Sequence, residues 1–202
     1  MITLGAVVLA AGEGRRFRAA GGDIKVLAEV EGRSLLAIAV SAVSAIEHRV
    51  VVLGSQADVL ARDVVLAGEH AVVNEHWKRG MASSLAVGLA SLPGDVDAAV
   101  VVLADAPRLS AEAVRRVGGA AVPDGLVSAA YGGIRGHPVA IGRALWASLP
   151  VVGEAAGRTV EPVLLVECGD LGEPGDADTP RLLCLTPHSE RENTTRSSPG
   201  PS

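Results

Sequence analysis

The sequence predicts an α/β fold built on a mostly parallel, doubly wound sheet. Strand-length apolar runs alternate with helical patterns along most of the chain, the signature of repeated βα units. The runs are continuous rather than alternating, as strands covered on both faces require. The composition agrees: 49% of residues are apolar, mainly Ala, Val and Leu, and only 2% are aromatic, so small side chains must pack helices closely onto the sheet. At 202 residues the chain is long enough to bury roughly 70% of its unfolded surface, which favours one domain, placed at residues 1–185.

The elements follow in order. Thr3–Leu9 is a buried strand that ends in small residues and then in Gly12, Gly14 and a basic cluster. Ser34–Ile46 is helical, His48–Leu53 a strand, Gln56–Leu66 a helix and Ala71–Val73 a short strand. Ser83–Ser91 is helical, with Ser83 or Ser84 suited to cap it. The strand Ala98–Leu103 leads to the helix Ser110–Val117, with Ser110 as its cap. Gly125–Ala130 and His137–Ile141 are strands joined by a hairpin-like excursion through Gly132 and Gly133, too short for a crossover helix. A helical pattern closes this region at Arg143–Leu149. Asp176–Pro180 is an acidic turn, and Thr186–Ser202, rich in Ser, Thr, Pro and charge, is expected to be disordered.

Bulk properties exclude several classes of function. A net charge of −5 with so few aromatics offers neither the electrostatic footprint nor the stacking platform of a nucleic-acid binder. Uninterrupted apolar stretches of about 18 residues are missing, so a membrane span is not expected. Cys168 and Cys184 have neither metal-ligand spacing nor the numbers of a disulfide framework, and a reduced, cytoplasmic setting is the simplest expectation.

In an open parallel sheet, ligands bind beyond the carboxyl ends of the strands. The loops after Leu9, Val73, Leu103 and Ala130 are therefore the candidate site. In the first, the backbone N–H groups of Ala11, Gly12 and Gly14 can turn around an anion, with Arg15, Arg16 and Lys25 to supply charge. The alternative is a solvated basic loop. In the second, Asn74 and the Gly80 backbone can read a nucleobase edge, or Ser83 and Ser84 do no more than cap a helix. In the third, Asp105 stands directly after an apolar strand, with Pro107 fixing the turn. A carboxylate there, opposite a polyphosphate, suits Mg²⁺; its other reading is a helix cap. His137 orients a substrate or packs at a strand entry.

Taken together these motifs resemble the MobA-like nucleotidyltransferases, and within them the molybdenum-cofactor cytidylyltransferase group. The family pattern L-A-A-G-x-G-x-R followed by a lysine stands here at Leu9–Arg16 and Lys25. N-x-x-x-x-x-G-M-x-S-S-L stands at Asn74–Leu85, the strand-ending Asp and Pro at Asp105 and Pro107, G-H-P at Gly136–Pro138, and D-x-D-T-P at Asp176–Pro180. The resemblance implies a Rossmann-like three-layer αβα fold. It implies a nucleoside triphosphate with Mg²⁺, and transfer of the nucleotidyl group to a phosphorylated acceptor, molybdopterin in the closest group, with release of pyrophosphate. Arg16, Lys25 and Asp105 become the catalytic set, Asp105 and Asp178 the metal ligands. Leu9, Ala10, Ala11, Gly12, Gly14, Asn74, Gly80, Ser83, Ser84 and His137 become the nucleotide and acceptor contacts. Guanylyl-transferring relatives carry glycine at the Ala11 position, so alanine favours CTP over GTP. A molybdoenzyme or its maturation chaperone is the implied receiver of the product.

Four features depart from the family: Ala106 stands between Asp105 and Pro107 where Gln or Met is usual, the acidic pair expected after Pro180 is missing, and two stretches differ. The link F-R-A-A-G-G-D-I between Arg16 and Lys25 is longer than usual, which raises the question of whether Lys25 reaches the phosphates. Glu154–Arg158 has drifted where the family contacts its acceptor. A sugar- or polyol-phosphate acceptor, or a nucleotide-binding module without catalysis, are the alternative readings.

Overall fold

A computed structural model describes residues 2–66, 69–153 and 163–180. The expected disordered tail, Cys184 and the drifted 154–158 stretch lie outside the described residues.

The chain order is β1 (Leu4–Ala10), α1 (Arg15–Ala19), a small hairpin of β2 (Glu29–Val30) and β3 (Arg33–Ser34), α2 (Leu35–Ala42), β4 (His48–Leu53), α3 (Ala57–Leu66) and β5 (His70–Val73). It continues through α4 (Met81–Ala90), β6 (Ala98–Leu103), α5 (Ala111–Gly119), β7 (Leu126–Tyr131), β8 (Ile134–Gly142) and β9 (Val163–Glu167). Seven strands form one sheet in the order β5-β4-β1-β6-β8-β7-β9. All run parallel except β8, which is antiparallel to both β6 and β7.

Strand side chains alternate between the two faces, so each continuous apolar run feeds two cores. Ala6, Val8, Ala10, Val51, Leu53, Val100 and Val102 meet α2, Leu60 of α3, and α5 on one face. Val7, Leu9, Val50, Val52, Ala99 and Val101 meet Ala82, Leu85 and Leu89 of α4 on the other. Burying each valine fully is worth about 1.5–3 kcal/mol over leaving it exposed, so a helix on only one face would forfeit half of that gain. Gly88 lets α4 lie against the sheet: a Cβ there would stand 2.5 Å from Val7 Cγ1 and 2.8 Å from Val52 Cγ2.

Ser110 caps α5 as expected, its hydroxyl accepting from the Glu112 N–H at 3.2 Å, and Ser34 caps α2 by accepting from Ala37 N–H at 3.1 Å. Replacing Ser110 by alanine is expected to cost about 0.5–2 kcal/mol in thermal or urea unfolding without changing activity, because only an orphan helix donor is lost. Three expectations need correction. α4 begins at Met81 with Gly80 (φ 98°) in the cap position, so Ser83 lies inside the first turn and donates to the Gly80 carbonyl at 2.8 Å. Arg143–Ser148 is a 3₁₀ helix rather than an α-helix. It is held by Arg143 stacked 4.3 Å from the centre of the Trp146 ring and by the indole N–H donating to the Ile141 carbonyl. The hairpin strand runs back to Ile134, well before His137. Finally, α1, the β2–β3 hairpin and β9 are elements that hydrophobic periodicity does not announce.

Candidate active site

β1 lies between β4 and β6, and the chain leaves it in one direction, through β4 and β5, before returning to β6 on the other side. This is the switch point of the sheet, where adjacent loops part and leave a crevice. Ala10 is opposite Leu53 and Leu9 opposite Leu103, so the three strands end together. The loop after β1 is tied on both flanks. Ser55 N–H donates to the Ala11 carbonyl at 3.1 Å, and Ala104 N–H to the Leu9 carbonyl at 3.0 Å. Gly54 makes the first tie possible, since a Cβ on it would stand 2.7 Å from the Ala11 oxygen. Gly14 takes the left-handed conformation (φ 65°) that turns the loop into α1.

The long link after Arg16 folds back on itself. Phe17 is buried in α1, and Gly22 lies so close to its ring that any side chain there would overlap it. The chain therefore returns to the loop, and Lys25 reaches the crevice. Its Nζ donates to Asp105 at 2.7 Å, Asp176 at 2.9 Å and Asp178 at 3.3 Å. Arg16 pairs with the second oxygen of Asp178. The segment bearing Asp176 and Asp178 is latched to the loop after β6: Ala177 N–H donates to the Asp105 carbonyl at 3.1 Å and Arg108 N–H to the Pro174 carbonyl at 3.0 Å. Arg15 and Arg18 instead close on Glu13, at 2.6 and 2.5 Å.

Burial works against the Lys25 ammonium, but the carboxylates of Asp105 and Asp176 outweigh it and raise its pKa. Asp176 is also raised, chiefly by burial and further by Asp105 and Asp178, against the pull of Lys25. Among the described residues no group of His, Cys, Asp and Glu is already gathered tightly enough to hold a metal. The carboxylates of Asp105, Asp176 and Asp178 are arranged around one cation nonetheless, and hard oxygen donors of this kind fit Mg²⁺ or Mn²⁺.

The resulting cleft has a volume of 550 Å³. Opposite the charged cluster its wall is the 3₁₀ turn Trp77–Arg79 and the start of α4. That wall is braced from behind by Asn74, which is 2% exposed. Its amide donates to Ser83 Oγ and Ser84 Oγ, both at 2.9 Å, and its Oδ1 accepts from His76 N–H at 2.9 Å.

Residues 6–164 match the MobA-like NTP transferase domain. The chain belongs to this family. A nicotine blue oxidoreductase from Paenarthrobacter nicotinovorans is 33% identical over 189 residues, covering 86% of this chain and 91% of the relative. The crystal structure of Rv0371c from Mycobacterium tuberculosis superposes with a TM-score of 0.71 at 26% identity, covering 90% of this chain and 98% of that one. A nucleotidyl transferase from Methanothermobacter shares the fold, with a TM-score of 0.75 at 21% identity over 89% of this chain and 93% of the other. The protein is a nucleotidyltransferase of the MobA-like family, with the Rossmann-like αβα architecture that its motifs imply.

In this MobA-like protein, Leu9, Ala10, Ala11, Gly12, Gly14, Arg16, Lys25, Gly80, Ser84, Asp105 and Asp178 all line the cleft. Asn74, Ser83 and His137 do not. Asn74 and Ser83 are spent on each other behind the wall. His137 lies on β8, where the β7–β8 pairing slips, and its carbonyl accepts from the Tyr131 hydroxyl at 2.8 Å. Sequence reasoning passed over Gly54, Trp77, Met81 and Leu103, and named Asp178 but not Asp176 as a metal ligand. Gly54 had a signal, a glycine directly after a buried strand. Trp77 had one too, as a rare aromatic inside the Asn74–Leu85 motif.

Proposed function

We propose that this MobA-like nucleotidyltransferase moves CMP from CTP to a phosphorylated acceptor of the molybdopterin type, with Mg²⁺ as its metal. The cluster of Lys25 and Arg16 with Asp105, Asp176 and Asp178, at the mouth of the glycine loop, carries this reading. Lys25 and Arg16 would contact the triphosphate. Asp105 and Asp178 would hold Mg²⁺, which when bound draws charge from the phosphate oxygens. The loop N–H groups and Ser84 seat the nucleotide, and Ala11 favours CTP by the family resemblance. Asn74 and Ser83 serve by fixing the wall. An acceptor phosphate oxygen then forms a bond to the α-phosphorus while the bond to the leaving pyrophosphate breaks. The nucleophile is already anionic, so positioning and charge stabilisation supply the rate and no strong base is required. The product passes to a molybdoenzyme or its maturation chaperone.

Charge balance gives the reading a consequence. Around the loop Arg15, Arg16, Arg18 and Lys25 are met by Glu13, Asp105, Asp176 and Asp178, so the cleft offers a triphosphate almost no surplus positive charge. Nucleotide binding itself, not only turnover, is therefore expected to need a divalent cation. Equilibrium dialysis of CTP with Mg²⁺ and with EDTA checks this; equal binding in both would remove the carboxylates from the metal site.

The deciding assay follows pyrophosphate release from CTP, GTP, ATP and UTP, with and without molybdopterin, beside an Asp105→Ala control. Release from CTP that requires both molybdopterin and Asp105 supports the proposal. Release that requires a sugar or polyol phosphate instead moves the acceptor. Turnover without pyrophosphate would favour oxidoreduction, the activity for which the Paenarthrobacter relative is named.

A further inference from the structure

We infer that the Trp77 ring is the stacking platform for the nucleobase. The inference rests on the nucleotidyl-transfer reading and assigns a residue which that reading leaves unused. The cleft is chemically divided. On the β6 side of the glycine loop stand Lys25, Asp105, Asp176 and Asp178, all charged and mutually paired. On the β5 side stand Trp77 and Met81, with Ala11 between the halves. A nucleotide is divided in the same way, into a polyanion and a flat π-system. Seating the phosphates at the charged end points the base toward Trp77.

The ring is held in place for this role. Its Cβ packs where a side chain on Gly54 would be, 2.8 Å from that position, so the turn sits directly against the loop after β4. Trp77 N–H donates to the Asn74 carbonyl at 3.2 Å, and Gly80 N–H to the Trp77 carbonyl at 3.1 Å. The buried Asn74 amide, bonded to two serines of α4, locks that turn onto the helix. Trp77 is only half-buried despite packing on the apolar core, and Lys78 Nζ lies 5.4 Å from its ring centre. The ring thus already presents a π-surface to the exposed Lys78 cation, which a base can replace. Stacking tolerates any base, because every base has a π-face, so Trp77 supplies affinity and not choice of base.

The chain has two tryptophans, and Trp146 lies outside the cleft, which makes Trp77 a usable reporter. In a Trp146→Phe variant, CTP or GTP with Mg²⁺ is expected to change Trp77 emission with the same midpoint that dialysis gives. Inorganic tripolyphosphate, which lacks a base, should compete without changing emission. Trp77→Leu should raise the KM for nucleotide about five- to 150-fold, by a similar factor for every base accepted, with kcat held within about twofold. Trp77→Phe should restore most of the loss, which separates stacking from misfolding. Nucleotide binding by dialysis with unchanged Trp77 emission, or an unchanged KM in Trp77→Leu, would overturn the inference alone. Absence of nucleotide binding by dialysis would overturn the nucleotidyl-transfer reading and this inference with it.

Discussion

Asp105→Ala is expected to lower nucleotidyl transfer by about 10²–10³, the loss seen when one preorganised charge-stabilising group is removed from an active site. The fold should survive. The side chain is about one-third exposed, and the ties around it use backbone atoms that alanine retains: the Ala177 N–H to the Asp105 carbonyl, and the Ala104 N–H to the Leu9 carbonyl. The circular dichroism spectrum should therefore match wild type, with thermal unfolding shifted only by the lost Lys25–Asp105 pair, while pyrophosphate release collapses. A variant with wild-type turnover would remove Asp105 from the mechanism.

Lys25→Ala should cost a comparable factor in turnover, with an additional signature. The Lys25 pKa is raised above its ordinary 10.5, so its stabilisation of the cleft is fully present at neutral pH and is lost only as the pH climbs through the raised value. Asp176 is raised above 3.8, so the folded state gains from its protonation below that value and loses the gain as the pH rises through the raised one. At neutral pH Asp176 is thus a cost that Lys25 offsets. Removing Lys25 leaves Asp105, Asp176 and Asp178 close together with only Arg16, on Asp178, to compensate them. Added Mg²⁺, or mild acidification, should then stabilise Lys25→Ala more than wild type in thermal melts. Equal responses would mean that the three carboxylates do not act as one cation site.

The parts of the fold legible in the sequence are those whose signal is local. β4, β6 and α3 are continuous or periodic apolar runs, and their expected limits agree with the structure within a residue. The elements that escaped owe their order to distant partners. α1 is five residues with one large apolar side chain, and it is fixed by Phe17 meeting Gly22 and by a return path that its composition does not reveal. β9 exists because β7 offers it an edge, with Leu126 opposite Val163. The site divides in the same way. Asp105 was visible as a lone carboxylate at a strand end, yet the meeting of Lys25 with Asp105, Asp176 and Asp178 joins residues up to 153 positions apart and follows from strand order. Asn74 shows the limit of motif reading. A polar residue after a strand looks like a ligand contact, but the direction of its amide, into the protein and onto two serines, is set by packing.

Gly54→Ala, one added methyl group, is expected to damage the protein in two measurable ways at once. The new Cβ would stand 2.7 Å from the Ala11 oxygen and 2.8 Å from the Cβ atoms of Ala11 and Trp77. The nearest of these atoms is backbone, so no rotamer change relieves the overlap, and the glycine loop and the Trp77 turn must separate. Overpacking of this kind typically costs about 1–3 kcal/mol, which thermal unfolding reads directly. The same separation displaces the Ala11 loop from the wall opposite, so nucleotide KM should rise together with the loss of stability. Gly12→Ala provides the contrast. Its added Cβ has nothing within 4 Å, and the backbone there is not in the left-handed region. That variant should unfold like wild type and lose only nucleotide affinity, because the methyl group enters the space the phosphates require. If Gly54→Ala kept both stability and affinity, the close contact between the two loops would not be what shapes the cleft.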